Sequence, residues 1–174
     1  EGESEISWAP NLDWLVSGGK QCLDSYSNSD EELNKEDWIR DLLWMAKMPH
    51  MLVLDDWILV HAGLDPKKSL DEQEEKELLW IREVFHNAKK PVDPGRAVVI
   101  GHSITHTVLG QSIGEIGQSE YRLEDGRALW FGIDTGACDS ASGWLTAMDL
   151  NSGELVQAND SGDTRRKGPA FKRT

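Results

Sequence analysis

Apolar residues follow two periods along this chain, and each period predicts its own kind of element. Trp57-Ile58-Leu59-Val60 is an unbroken apolar run, the pattern of a strand covered on both faces, and it delivers His61 to a turn through Gly63 and Pro66. Ala97-Val98-Val99-Ile100 repeats the design, followed by Gly101, which lets the backbone come close, and by His102 at the tip. Met51-Leu52-Val53-Leu54 precedes the first run across Asp55-Asp56, which predicts a hairpin with a two-residue turn. A helical period governs two other segments. Residues 29–48 place Ile39, Leu42, Leu43 and Ala46 on one face, with Ser29 and Glu32 spaced as a capping box and Pro49 as a stop. Residues 69–87 form the second predicted helix, opened by Ser69 and Glu72, with Leu78, Ile81, Phe85 and Ala88 marking its buried side. Before residue 29 the pattern is irregular: a short helical piece around Leu12, Trp14 and Leu15 is broken by Ser17-Gly18-Gly19. After residue 112 it turns to strands, over residues 113–116, 129–133, 144–150 and 155–157, parted by turns at Glu124-Asp125-Gly126 and Asn151-Ser152-Gly153.

Length and composition then bound the class. A chain of 174 residues, 39% hydrophobic, suffices for one domain with a real core. The polar stretch over residues 159–174, which holds Arg165-Arg166-Lys167 and Lys172-Arg173, reads as a disordered tail, with electrostatic docking as the alternative. The formal charge of −13, from 18 basic and 31 acidic side chains, argues against nucleic-acid backbones and anionic membranes as partners. An anionic substrate would have to be held locally, by a metal ion or a particular arginine. Cys22 and Cys138 are too few for a disulfide framework, which points to reduced thiols and a cytoplasmic protein. There is no long apolar run to span a membrane, and the acidic start, Glu1-Gly2-Glu3-Ser4-Glu5, is unlike a secretory leader.

Imidazoles at two strand ends, with Asp65 and Asp134 in neighbouring loops, suit a site for manganese, iron or zinc. Taken singly, a histidine is more often a hydrogen-bonded structural residue, and His50, His86 and His106 are weaker candidates than His61 and His102. Arg82 stands out for another reason. Its neighbours at the helical spacings are Leu78, Leu79, Phe85 and His86, so no intrahelical carboxylate explains it, and its planar fork suits a phosphate group.

These residues fall in an order. Trp14-Leu15 with Ser17-Gly18-Gly19, Leu59-Val60-His61-Ala62-Gly63-Leu64-Asp65-Pro66, Gln73 with Leu78-Leu79-Trp80-Ile81-Arg82, Val98-Val99-Ile100-Gly101-His102-Ser103 and Ile133-Asp134-Thr135-Gly136-Ala137 follow one another. That order resembles the carboxyl-terminal part of the calcineurin-like metallophosphoesterases, in particular the bacterial and phage serine/threonine protein phosphatases and the related symmetrical diadenosine tetraphosphatases. The resemblance implies an α/β fold, a β-sandwich of mixed sheets flanked by helices, with residues 1–158 forming the later part of one such domain. The competing fold is a separate β domain after Ile113.

The resemblance further implies that His61 and His102 are ligands of the second metal of a dinuclear manganese, iron or zinc centre, and that Arg82 binds phosphoryl oxygens. Asp134-Thr135-Gly136-Ala137 would close the sheet beneath them. In such enzymes two metals activate a water that attacks phosphorus in line, so the chain is expected to derive from a metal-dependent phosphoric ester hydrolase. Its substrate would be a phosphoprotein rather than a dinucleotide phosphoester; a noncatalytic interaction module on the same fold is the alternative of another class. The family's DxHG, GDxVDRG and GNHE motifs have no counterpart here. The chain therefore reads as amino-terminally truncated: inactive alone, holding at most one metal ion weakly, and prone to self-association through an uncovered sheet edge. Ser103 stands where the family usually has threonine, and Cys138-Asp139-Ser140-Ala141-Ser142 lengthens the loop before Gly143.

Overall fold

The computed structural model describes residues 12–27 and 32–172. It divides into two compact units, Glu1–Met48 and Pro49–Thr174, where the sequence reading expects one domain. The first unit holds a small aromatic cluster: the Trp38 ring lies 6.1 Å from that of Trp14 and edge-on to Tyr26 at 5.1 Å. Around it stand α1 (Leu12–Trp14), a π-type turn (Leu15–Gly19), α2 (Lys20–Ser25) and α3 (Lys35–Met45). The expected break falls at Ser17-Gly18, where Gly18 takes φ 108°. The helix predicted over residues 29–48 is shorter than its pattern. Asn34 caps it by accepting from the Asp37 amide at 3.2 Å, while Leu33 is drawn into a bridge with Ser27; the Ser29 half of the proposed capping box lies outside the described residues.

The second unit carries a mixed five-stranded sheet in the order β1-β2-β3-β5-β4 and an antiparallel three-stranded sheet, β6-β7-β8. The predicted hairpin forms as β1 (Met51–Val53) and β2 (Trp57–Val60), closed by the Leu54 amide on the Trp57 carbonyl at 2.8 Å. β3 (Ala97–Ile100) and β5 (Trp130–Gly132) then run parallel to β2, and β4 (Gly117–Gln118) adds antiparallel to β5. Because β4 and β5 belong to the same sheet as β2, the separate β domain after Ile113 is excluded. β3 is buried at all four positions, as its unbroken apolar run requires, and Phe131 packs against Trp57 and Phe171 in the core. The described residues thus form a mixed α/β structure with two sheets. Among the described residues, no helix is long and apolar enough to cross a membrane, and both cysteines are free and exposed.

Three expectations need correction. The strand expected over residues 113–116 is a turn, and pairing begins only at β4. The tail is not disordered over its described part: after β6 (Leu145–Met148) and β7 (Leu155–Ala158), Thr164–Lys167 forms β8 against β7, and Phe171 is buried. Hydropathy missed β8 because its inward positions are Arg165 and Lys167, whose charges end on carbonyls and on Glu115 rather than in an apolar layer.

Residues 69–87 likewise depart from the continuous helix expected there. The Ser69–Glu72 capping box is present, but it opens only a single 3-10 turn, Leu70–Glu72; α4 (Glu75–Trp80) and α5 (Glu83–His86) follow as separate pieces. In a continuous helix the Leu78 carbonyl would accept from the amide of Arg82. Here the Ala62 amide, from the loop after His61, takes that carbonyl at 2.8 Å. The helix ends at Ile81, and Arg82 adopts φ −132° and ψ −102° outside any helix.

Candidate functional site

β2, β3 and β5 are parallel neighbours, so their carboxyl ends open on one edge of the sheet. Crevices at such edges are the usual ligand sites of open α/β sheets, because loops diverge there and backbone groups lose their ladder partners. His61 follows β2, Gly101-His102 follows β3 and Ile133-Asp134 follows β5. The two histidines meet. His61 Nε2 lies 3.2 Å from His102 Nδ1, with ring centroids 4.9 Å apart, and the Gly101 amide donates to the His61 carbonyl at 2.9 Å.

Each element behind this meeting has a local cause. Gly63 allows the turn after His61: at φ 152° a Cβ there would stand 2.5 Å from Cδ1 of Phe85. Gln73, eight residues past Asp65, accepts from the Asp65 amide at 2.7 Å and donates to the Asp65 carbonyl at 3.0 Å, bracing the loop. His102 itself has φ 57°, the only positive value for a non-glycine residue among those described. That left-handed conformation costs on the order of 1–2 kcal/mol for an L-residue and has to be held by its surroundings.

Arg82, released from the helix, reaches the same turn. Its Nη1 donates to Ser103 Oγ at 3.0 Å and to the His102 carbonyl at 3.4 Å, while the rest of the exposed guanidinium is left to solvent. Ser103 is fully buried, so the hydroxyl that the family pattern led us to expect there serves to aim the arginine. Trp80, largely exposed, stands edge-on to His102 at 5.6 Å. Beside Arg82 opens a cavity of about 780 Å³ lined by Glu83, His86, Asn87, Gln118, Tyr121 and Trp130 among others.

Burial lowers the His102 pKa first, then the Arg82 guanidinium and His61; the Asp134 carboxylate opposes them. Burial, Arg82 and His102 push His86 down to about 4. Both shifts favour the neutral ring, the form in which an imidazole nitrogen can accept or ligate.

Comparisons with known protein families, with curated proteins and with solved structures return no match. The site therefore has to be judged on its own chemistry. Two nitrogens each about 2.0–2.1 Å from one ion in tetrahedral geometry lie about 3.4 Å apart, so the observed 3.2 Å fits two ligands of a single metal. It also fits one N–H···N hydrogen bond between neutral rings. What is missing is the rest of a ligand set: among the described residues no three His, Cys, Asp or Glu side chains gather as a metal group. Asp65 does not join the histidines, its Oδ1 accepting from the Lys67 amide at 2.9 Å instead. Asp134 is close enough to act on His102, while its Oδ1 accepts from the Gly136 amide at 3.1 Å. Asp55 and Asp56 sit at the opposite end of β2.

Sequence reasoning brought His61, His102 and Arg82 forward, and the structure brings all three together. It gave His86 little weight, although that ring lines the cavity beside Arg82. Nothing in the local pattern marks it: its position on a predicted helix is explained equally well by packing against Trp130, 5.5 Å away.

Proposed function

We propose that this crevice is one half of the active site of a metal-dependent phosphoric ester hydrolase of the calcineurin-like type, acting as a serine/threonine protein phosphatase. The observation that carries the proposal is the facing pair His61 Nε2 and His102 Nδ1 with Arg82 anchored beside them on Ser103. The five-stranded and three-stranded sheets are then the two layers of that family's sandwich.

Within this reading, His61 and His102 offer two imidazole nitrogen ligands to one divalent ion. The ion, when bound, supplies Lewis-acid charge and an activated water. Arg82 holds a phosphoryl oxygen through the N–H groups that Ser103 and His102 leave unused, and its place outside the helix sets the direction of the fork. The cavity beside it has room for the alcohol portion of an ester. Two imidazoles fall short of the three or four protein ligands such ions require. Further ligands have to come from residues other than those described, and the chain by itself binds manganese weakly and turns over no faster than buffer containing metal.

The test is hydrolysis of a phosphothreonine peptide and of diadenosine tetraphosphate, with manganese, by this chain and by the full-length product of the gene that encodes it. The reading expects peptide hydrolysis by the full-length product that His102→Ala abolishes. A clear preference for the dinucleotide would move the assignment to the diadenosine tetraphosphatases, and activity on neither would leave a noncatalytic module.

A further inference from the structure

Behind the histidine turn runs a chain of polar side chains that the proposed reaction does not use. Thr135 is buried and donates its hydroxyl hydrogen to the Trp144 carbonyl. It has no second hydrogen, so in its contact with Thr146 the Thr146 hydroxyl must be the donor. Thr146 Oγ1 in turn accepts from Gln157 Nε2 at 2.7 Å, and the other Gln157 amide hydrogen goes to the Gly114 carbonyl at 2.9 Å. Gln157 is 1% exposed. Its Oε1 accepts from Arg165 Nε at 2.7 Å, and the Arg165 guanidinium lies 3.8 Å over the ring of Trp144. Every donor in the sequence Arg165, Gln157, Thr146, Thr135 thus has one direction, fixed by hydrogen count.

Each end of this relay adjoins a residue whose carbonyl bonds Thr105, three residues after His102. Thr135 follows Asp134, whose carbonyl accepts from the Thr105 amide at 2.9 Å. On the other side, Arg165 Nη2, Lys167 Nζ and Gln157 all close on the Gly114 carbonyl, and the next carbonyl, Glu115, accepts from Thr105 Oγ1 at 2.7 Å. Gly114 admits them because it has no Cβ: one built there would stand 2.2 Å from Arg165 Nη2. Thr105, three residues after the left-handed His102, is fully buried and is held on both its amide and its hydroxyl by elements that β8 and the relay lock in place.

We propose that Arg165, acting through Gln157, Thr146 and Thr135, is a positioning residue that holds the 101–105 turn so that His102 keeps its left-handed backbone facing His61. A polar strand at the end of the chain thereby fixes one of the two facing imidazoles without touching it. The purpose of this arrangement rests on the proposed site, but its test needs neither metal nor substrate, so the two can fail separately.

The experiment is NMR on the whole chain. The His102 Cα shift reports the left-handed backbone, and amide exchange at Gly101 and Thr105 reports the bonds to the His61 and Asp134 carbonyls. Thr146→Val keeps the shape of the side chain and breaks the relay; Thr146→Ser restores the hydroxyl; Arg165→Met removes its head. Arg166→Met, on the same strand but paired with exposed Glu154, is the control. Thr146→Val and Arg165→Met should speed exchange at Thr105 by about tenfold or more and move the His102 Cα shift, with Thr146→Ser and Arg166→Met near the unmodified chain. The proposal is overturned if Thr146→Val and Thr146→Ser behave alike at Gly101, His102 and Thr105. It is equally overturned if Arg165→Met lowers stability to urea while leaving those signals in place.

Discussion

The two ends of β2, β3 and β5 use arginine in opposite ways. At the amino ends, Arg127 is 1% exposed and fully engaged: Nε meets Asp125 at 2.6 Å, Nη1 the Asp56 carbonyl at 2.7 Å and Nη2 the Gly95 carbonyl at 3.3 Å, with Trp57 beneath at 4.8 Å. Arg96 caps the neighbouring hairpin turn through the Leu54 carbonyl at 2.8 Å and Asp93 at 2.7 Å. At the carboxyl ends, Arg82 is exposed and spends one nitrogen on protein, and the buried Nε2 atoms of His86 and His102 have no hydrogen-bond partner among the described residues. One end satisfies its charges and locks the strands. The other leaves donors and acceptors unmatched around a strained backbone, which is what a site kept for a ligand requires.

The comparison breaks most visibly if stability is lost at the wrong end. Arg127→Met should cost about 3 kcal/mol in urea unfolding, because it takes the guanidinium away from Asp125 and from the Asp56 and Gly95 carbonyls in a mostly buried cluster. Gly63→Ala should cost about 2 kcal/mol, since the added carbon meets the Phe85 ring; a neutral result would mean that the loop after His61 is free to shift. His86 sharpens the contrast by pH. Its folded pKa of about 4 lies below its ordinary 6.5, so between those values the unfolded chain binds more protons and stability falls as pH falls. With solvent screening counted the loss is about 1.5 kcal/mol across that window, and His86→Gln should flatten it. Arg82→Met should change stability by no more than about 0.5 kcal/mol, being exposed and lightly bonded. A loss like that of Arg127 would make Arg82 structural and remove it from the proposed site.

Hydrophobic pattern made the centre of the fold readable: β1, β2 and β3 formed where their apolar runs lie, with His61 and His102 at the tips as the strand grammar demands. What the pattern could not show were structures decided by hydrogen bonds from distant residues. The predicted helix over residues 69–87 broke at Arg82 because an amide from the His61 loop captured the Leu78 carbonyl, a competition that no local propensity records. β8 was hidden for a related reason, its inward side chains being Arg165 and Lys167, which satisfy carbonyls instead of filling a core. Ser103 was noticed for its hydroxyl, but its task of aiming Arg82 emerged only when the two loops were seen together.

The function proposed for the crevice makes His61 and His102, which face each other, ligands of one divalent ion beside Arg82. Its most direct measurement is the selective broadening of histidine ring resonances as manganese is titrated into the chain. Weak binding is expected, in which the His61 and His102 signals broaden first and together, before those of His50 and His106, with His61→Ala abolishing the early effect at His102. Broadening that begins at His50 or spreads evenly over the acidic surface, with His102 unaffected by His61→Ala, would contradict it.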